Sequence, residues 1–370
     1  MTKIVISGSG SFLPENEITN EELVSSFNQY VENYNNKNQQ QILNGEFIKI
    51  KPSDVNTITR SSGIKKRRVI DKNGILDINH MRPRFIKNDL SIQSELGLIA
   101  ARKALMKAKK NPAEINGIIA ASTLFERGFP SHAIEIQRAL NCEGWAYDMS
   151  VACSSSVFAM SAAINAILND QAECVLVVVP EIYTGQLNFT DRKSHFIFGD
   201  GAAAIVLEKD NTCKTIETSF ELIDISLKTH FSNNIFNHFG FLNCCHEDKN
   251  NTNNFFNQNG QKVREEIVPL VIDHLKKHLE KLSIDKSIIK RLWLHQANKY
   301  INDEIGINIL GDSISQKTLP NTLENYGNSG AAGCLIAFDE HQNDLKKNDF
   351  CIISAFGAGY AIGSIILKKI

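Results

Sequence analysis

Apolar positions along this chain fall into two alternating patterns. From Ser91 to Lys109 they recur at Ile92, Leu96, Ile99, Ala100, Leu105 and Ala108, close to the 3.6-residue period of an amphipathic helix, and Pro112 ends the run. Ile115 to Ala121 is then short and almost wholly apolar, as are Cys174–Val179, Ala202–Leu207 and Cys351–Ala355. Runs of that kind predict strands covered on both faces. Lys3–Ser7 is a further β-branched run, and Gly8-Ser9-Gly10 predicts a turn after it. Strands alternating with helices predict an α/β fold with buried sheets.

Part of the pattern occurs twice. Ala101–Thr123 runs through a helix, a Lys-rich break, an acidic residue beside an Ile pair and a strand; Leu270–His295 repeats that order. Self-similarity at a separation of about half the chain predicts two related halves, here 1–212 and 213–370. Two segments break the alternation. Phe27–Gln41 is rich in Asn and Gln and predicts a loop or insertion. His230–Gln261 is dense in Asn and Phe, and reads either as a loop that covers something or as surface disorder.

Composition narrows the function classes. Apolar residues make up 42% and charged residues 22% of 370, enough for a sizeable core. Forty basic against forty-one acidic residues leave a net charge of -1, which argues against a nucleic-acid binder. No stretch approaches the roughly 18 apolar residues of a membrane span. Met1–Gly8 reads as a strand and not a leader, so a cytoplasmic protein is expected. Eight scattered cysteines with no C-x-x-C pair exclude a disulfide scaffold. Cys244-Cys245-His246 is the one metal-like run, and adjacent cysteines rarely complete a tetrahedral site. Neither metal nor cofactor is expected.

The cysteines then matter singly. Cys153 stands among small residues, and a helical pattern follows at Val157, Met160, Ala163 and Ile164. At a strand-to-helix junction the helix dipole would lower its pKa and favour the thiolate, unless it is simply a small buried thiol in a tight turn. His295 ends the apolar run Leu292-Trp293-Leu294 beside Gln296 and Asn298, where open α/β sheets place their chemistry. Asn328 sits in Tyr326-Gly327-Asn328-Ser329-Gly330, a turn opening a helix; its plainer role is a cap. A thiol and two polar donors suit nucleophilic catalysis with oxyanion stabilisation, provided that they meet.

On these segments the chain resembles the β-ketoacyl-acyl-carrier-protein synthases of type III, within the thiolase-like condensing enzymes. Matching runs occur in family order: Gly8-Ser9-Gly10-Ser11-Phe12-Leu13-Pro14, Gly63-Ile64-Lys65-Lys66-Arg67-Arg68, Ala152-Cys153-Ser154, Phe198-Gly199-Asp200-Gly201-Ala202, His295-Gln296-Ala297-Asn298, Gly327-Asn328-Ser329 and Phe356-Gly357-Ala358-Gly359. The resemblance implies a five-layered αβαβα fold of two halves and a homodimer. It implies that Cys153 takes an acyl group from a thioester carried on coenzyme A or an acyl carrier protein. His295 and Asn328 would hold the second thioester's oxygen as it becomes an enolate, and backbone N–H groups at Cys153, Gly357 and Ala358 would hold the tetrahedral oxyanion. By the same resemblance Phe129 reaches into a partner's acyl pocket; Glu126, in Phe125-Glu126-Arg127-Gly128-Phe129-Pro130, reads either as a solvated loop carboxylate or as an extra base for removing a proton without decarboxylation.

Departures from the family concern the substrate. No tryptophan precedes Arg60 in Thr59-Arg60-Ser61-Ser62-Gly63-Ile64, where members using acetyl-CoA commonly carry one. Ser155 and Ser156 replace a glycine and a bulky residue, making room near the acyl chain. The stretches Val69–Asp77 and Phe256–Gly260 resemble a subgroup that builds cyclohexanedione precursors of dialkylresorcinols. A housekeeping synthase III, a chalcone-synthase-like enzyme lacking its C-terminal Gly-Phe-Gly-Pro-Gly, and a catalytically silent partner subunit are the competing readings.

Overall fold

In a computed structural model, residues 3–85, 89–192, 196–240, 242, 245, 255–312 and 314–370 are described. Nine strands form one continuous hydrogen-bonded sheet: β1 (Ile4–Phe12), β2 (Gly117–Ala121), β3 (Trp145–Met149), β4 (Cys174–Glu181), β5 (Gly201–Lys209), β6 (Phe220–Ser232), β7 (Ile289–Leu294), β8 (Phe350–Gly357) and β9 (Gly359–Lys369). Their order is β7-β8-β9-β6-β1-β5-β4-β2-β3. One narrow seam joins the halves, where Val5 and Ile6 of β1 pair with Glu221 and Phe220 of β6. The strands β2, β3 and β4 run parallel, as do β7 and β8; the remaining pairings are antiparallel.

Helices divide the halves into layers. α1 (Asn20–Lys37), α2 (Val55–Ser62), α3 (Ile92–Ala108), α4 (His132–Leu140), α5 (Ser155–Leu168), α6 (Gly260–Lys281), α7 (Lys299–Leu310) and α8 (Gly333–Glu340) are the main ones. The central layer is α5 and α8, with Val157, Met160, Leu335 and Phe338 packed between Val177 and Ile205 on one side and Trp293 and Ile353 on the other. α3 and α4 cover the outer face of the first half, and α6 and α7 that of the second. The sequence of layers is therefore αβαβα. Alternate residues of β4 explain its unbroken apolar run: Val175, Val177 and Val179 face the central helices, while Cys174, Leu176 and Val178 face the outer ones.

Two sequence expectations fail here for physical reasons. Phe27–Gln41 is helical: α1 runs through it, and Gln39–Leu43 adds a short helix. Thr19 caps α1 through a reciprocal pair with Glu22, and Leu23, Phe27 and Val31 bury one face, so three apolar anchors outweigh the polar remainder. Gly8-Ser9-Gly10 is not a turn, because β1 continues to Phe12. A β-carbon at Gly8 or Gly10 would lie 2.3 Å from a carbonyl oxygen of α3, so these glycines let strand and helix touch. The repeat is visible as α3 leading to β2 and α6 leading to β7, each through a single 3₁₀ turn. No helix among the described residues is long and apolar enough to cross a membrane.

Candidate active site

Three turns bring the sequence's separate candidates together. Cys153 follows Ala152, whose φ of 47° makes a tight left-handed bend, and α5 begins two residues later. His295 leaves β7 with its main chain held on both sides: its N–H donates to the Ser354 carbonyl (2.9 Å), and its carbonyl accepts from the Ala297 N–H (3.1 Å) and the Asn302 amide (3.0 Å). Asn328 is stitched to the Phe198 loop, donating to the Ile197 carbonyl (2.9 Å) and accepting from the Gly199 N–H (3.1 Å). Its side-chain oxygen accepts from the Gly330 N–H at 3.0 Å, which leaves the amide nitrogen as the donor.

All three residues line one cavity of about 360 Å³, with Gly357 and Ala358 at the end of β8. Its walls are largely aromatic and aliphatic, including Phe198, Phe236, Phe239, Phe256 and Ile267. The aromatic residues of His230–Gln261 therefore do cover something; Cys244 and His246 of that segment lie outside the described residues. Gln296 ties the histidine and asparagine loops together. Its amide donates to the Leu294 carbonyl (2.8 Å), while its oxygen accepts from the Thr322 and Leu323 N–H groups (3.0 and 3.2 Å).

The electrostatics differ from expectation at the sulfur. Burial pushes the Cys153 thiol up to about 12, and the nearby Glu181 carboxylate adds to the rise. The resting residue is a thiol, because desolvation of the anion exceeds what a helix N-terminus returns. His295 moves the other way: burial brings it down to about 4, against the Gly330 backbone. Its imidazole is neutral at pH 7, a donor without a charge, and its ring meets Phe356 edge-on at 5.5 Å between centroids. Among the described residues Nδ1 has no hydrogen-bond partner. A neutral donor and a carboxamide beside a nucleophile suit an oxyanion that forms and decays.

Two candidates lie elsewhere. Glu126 lines an adjoining cavity of about 560 Å³; its carboxylate accepts from the Gln93 backbone N–H (3.1 Å), and its own backbone N–H donates to the Gln93 side-chain oxygen (2.8 Å). Phe129 is 88% exposed on the surface and lines neither cavity. Ser155 and Ser156 are fully buried in the central layer, bonded to the backbone at Val151 and to the Cys334 thiol, so they make no room for a substrate.

Sequence reasoning passed over Glu181, Tyr183 and Thr123. The signal for Glu181 was present, an acid closing the otherwise apolar run Cys174–Pro180. Beyond the chamber, Arg60 and Arg264 line a polar vestibule of about 550 Å³ that shares Ile197, Gln258, Gly260, Ala297, Asn298 and Ile301 with it.

Comparison with known proteins identifies the family. Residues 147–228 match the family 3-oxoacyl-[acyl-carrier-protein (ACP)] synthase III, and residues 279–369 match its C-terminal part. A β-ketodecanoyl-[acyl-carrier-protein] synthase of Pseudomonas aeruginosa is 41% identical over 350 residues, covering 94% of this chain and 100% of that protein. A β-ketoacyl-[acyl-carrier-protein] synthase III of Natranaerobius thermophilus is 31% identical over 318 residues, covering 84% and 90%. The crystal structure of the priming β-ketosynthase from the R1128 polyketide pathway shares the fold, with a TM-score of 0.78 at 20% identity over 99% of this chain and 96% of that one. With a close relative matched along almost its whole length and the fold in common, this chain belongs to the 3-oxoacyl-[acyl-carrier-protein] synthase III family of condensing enzymes.

Proposed function

We propose that Cys153 accepts an acyl group from a thioester and passes it to a malonyl-type or β-ketoacyl thioester bound in the same chamber. The observation that carries this reading is that Cys153, His295 and Asn328, remote in sequence, line one apolar cavity. His295 and Asn328 donate to the second thioester's oxygen as its α-carbon becomes an enolate, and that carbon attacks the acyl-cysteine. Fixed donors stabilise charge where it develops, and the covalent intermediate divides one high barrier into two lower ones. Backbone N–H groups at Cys153, Gly357 and Ala358 hold the tetrahedral oxyanion.

The vestibule bearing Arg60 and Arg264 suits a phosphorylated handle of coenzyme A or a carrier protein. Medium-length acyl chains fit the volume of the chamber, in keeping with the name of the Pseudomonas aeruginosa relative. Specialised lipid synthesis of the dialkylresorcinol type is the pathway this reading favours, and the cytoplasm is its setting. The chain divides into an N-terminal half, 1–212, carrying the cysteine, and a C-terminal half, 213–370, carrying the histidine and asparagine. Support comes from β6, which starts at Phe220 and pairs along most of its length with β9.

A homodimer completes the enzyme. β3 is an edge strand with half-exposed residues, and Phe129, just before α4, is exposed. The test of the nucleophile is intact-mass analysis after incubation with octanoyl-CoA. One acyl adduct is expected on the native protein and none on Cys153→Ala; an adduct persisting in that variant would refute the assignment.

A further inference from the structure

Behind Cys153 stand three polar side chains with no part in the scheme above. Glu181 ends β4 fully buried. Its carboxylate accepts from the Thr123 N–H (2.8 Å), the Thr123 hydroxyl (2.7 Å), the Ser122 hydroxyl (3.2 Å) and the Ala331 N–H (3.0 Å). A β-carbon at Gly330 would lie 2.9 Å from that carboxylate, so the backbone leaves space for it. Tyr183 lies with its ring 3.9 Å from Phe198 and parallel to it, the edge of Phe256 closing the cluster. That clamp aims the phenol hydroxyl at Cys153, 4.0 Å from Sγ. Thr123 lines the same cavity wall as Cys153 and Tyr183. Since its hydroxyl proton goes to Glu181, it offers them only lone pairs.

We propose that Thr123 and Glu181 form a proton wire that receives the Cys153 proton during acylation, while the Tyr183 hydroxyl donates to the sulfur as it gains charge. The inference rests on Cys153 being the nucleophile. Sulfur attacks the thioester carbonyl carbon and the S–H bond breaks. Its proton passes to Oγ1 of Thr123, whose own proton passes to Oε1 of Glu181. The substrate's C–S bond then breaks, its electron pair leaves with the departing thiolate, and the proton returns along the wire to make the free thiol. Nothing is consumed.

Relative basicity favours Glu181 as the acceptor. Burial raises its carboxyl to about 7, whereas His295 is held down to about 4. Burial thus makes Glu181 the stronger base of the two. A thiol raised to about 12 stays protonated at pH 7. The chamber therefore needs a base, and the wire supplies one without placing a charge beside the substrate.

The experiment follows the rate of Cys153 acylation by octanoyl-CoA, by quenched intact-mass measurement from pH 5.5 to 9. For the native protein the rate should rise through an inflection near pH 7 and then level. Thr123→Val should slow acylation by at least about tenfold and lose the inflection. Thr123→Ser should restore both, and Tyr183→Phe should slow acylation while keeping the inflection. A native rate that climbs without levelling through pH 9, or a Thr123→Val protein acylating at the native rate, overturns the wire. The native profile needs no substitution, so a variant that fails to fold leaves the test intact. Absence of any native adduct, or its persistence in Cys153→Ala, would instead remove the nucleophile, and the wire with it.

Discussion

Gly357 lies directly over Cys153: a β-carbon added to the glycine would stand 2.7 Å from the Cys153 Cβ and 3.2 Å from its Sγ. β8 therefore ends against the nucleophile's own side chain, and the glycine is required for the close approach and not for an unusual φ. Gly357→Ala should push the two turns apart, destabilise the fold by about 1–3 kcal/mol and lower acylation at least about tenfold. Thermal denaturation and adduct formation measure the two effects; native values for both would show that the contact is unimportant.

His295→Ala and Asn328→Ala should separate the half-reactions. Each variant is expected to form the acyl adduct on Cys153 yet condense about 100- to 1000-fold more slowly, the usual cost of losing one oxyanion donor. Product formation from preacylated protein is the measurement. Undiminished condensation in either variant would take that residue out of the chemistry.

Buried histidines outside the chamber predict a pH-dependent stability. His274 and His278 both contact the Ser364 hydroxyl (2.9 and 2.7 Å), and His278 reaches Asp224 at 3.3 Å. Burial lowers both, His274 to about 4. The unfolded chain binds a proton below about 6.5 and the folded one only near 4, so this contribution is whole above pH 6.5 and declines as pH falls toward 4. For His274 it is worth as much as about 3 kcal/mol. Glu181 and Asp200, both raised by burial, act in the opposite sense over part of that range. The measurement is thus a difference: His274→Asn should lose less stability than the native protein between pH 7 and pH 5. Equal losses would contradict the prediction.

Arg67 is buried, and its guanidinium donates to Asn20 Oδ1 (2.7 Å) and to the carbonyls of Phe196 (2.8 Å) and Ile18 (3.2 Å). It thereby holds the loop whose Phe198 bridges to Asn328. Lysine cannot reproduce the fork. Arg67→Lys should cost about 2 kcal/mol and lower condensation more than acylation, because the disturbance reaches Asn328 before Cys153. Urea denaturation and the two half-reaction rates test this, and equal slowing of both halves would count against it.

Along β3 the half-exposed residues Trp145 and Tyr147 stack at 5.6 Å beside a sheet edge that pairs with no other strand among the described residues. An edge of this kind can pair with a second copy of itself. Sedimentation equilibrium of the native protein should give a dimer, and Tyr147→Asp should shift it toward monomer. A native monomer at micromolar concentration would remove the proposed homodimer.

Much of the fold was legible because its strands are buried on both faces. The runs at Cys174–Val179, Ala202–Leu207 and Cys351–Ala355 all lie within observed strands. Where reading failed, long-range packing had overridden local composition: α1 gains three buried anchors from the rest of the molecule, and Gly8 and Gly10 serve contact with α3. At the chamber, motif residues were readable one by one, whereas Tyr183 and Thr123 carry no local mark of the sulfur they approach.

By itself the order of residues determined the alternation of strand and helix, the twofold repetition of a helix–strand unit, and the family carried by short motifs around Cys153, His295 and Asn328, because these depend on neighbours in the chain. Tertiary structure alone decided which groups share a chamber, that Glu126 stands in the cavity beside it, and that the cysteine rests as a thiol and the histidine as a neutral ring. Those outcomes follow from burial, and burial arises only when segments far apart in the chain exclude water together.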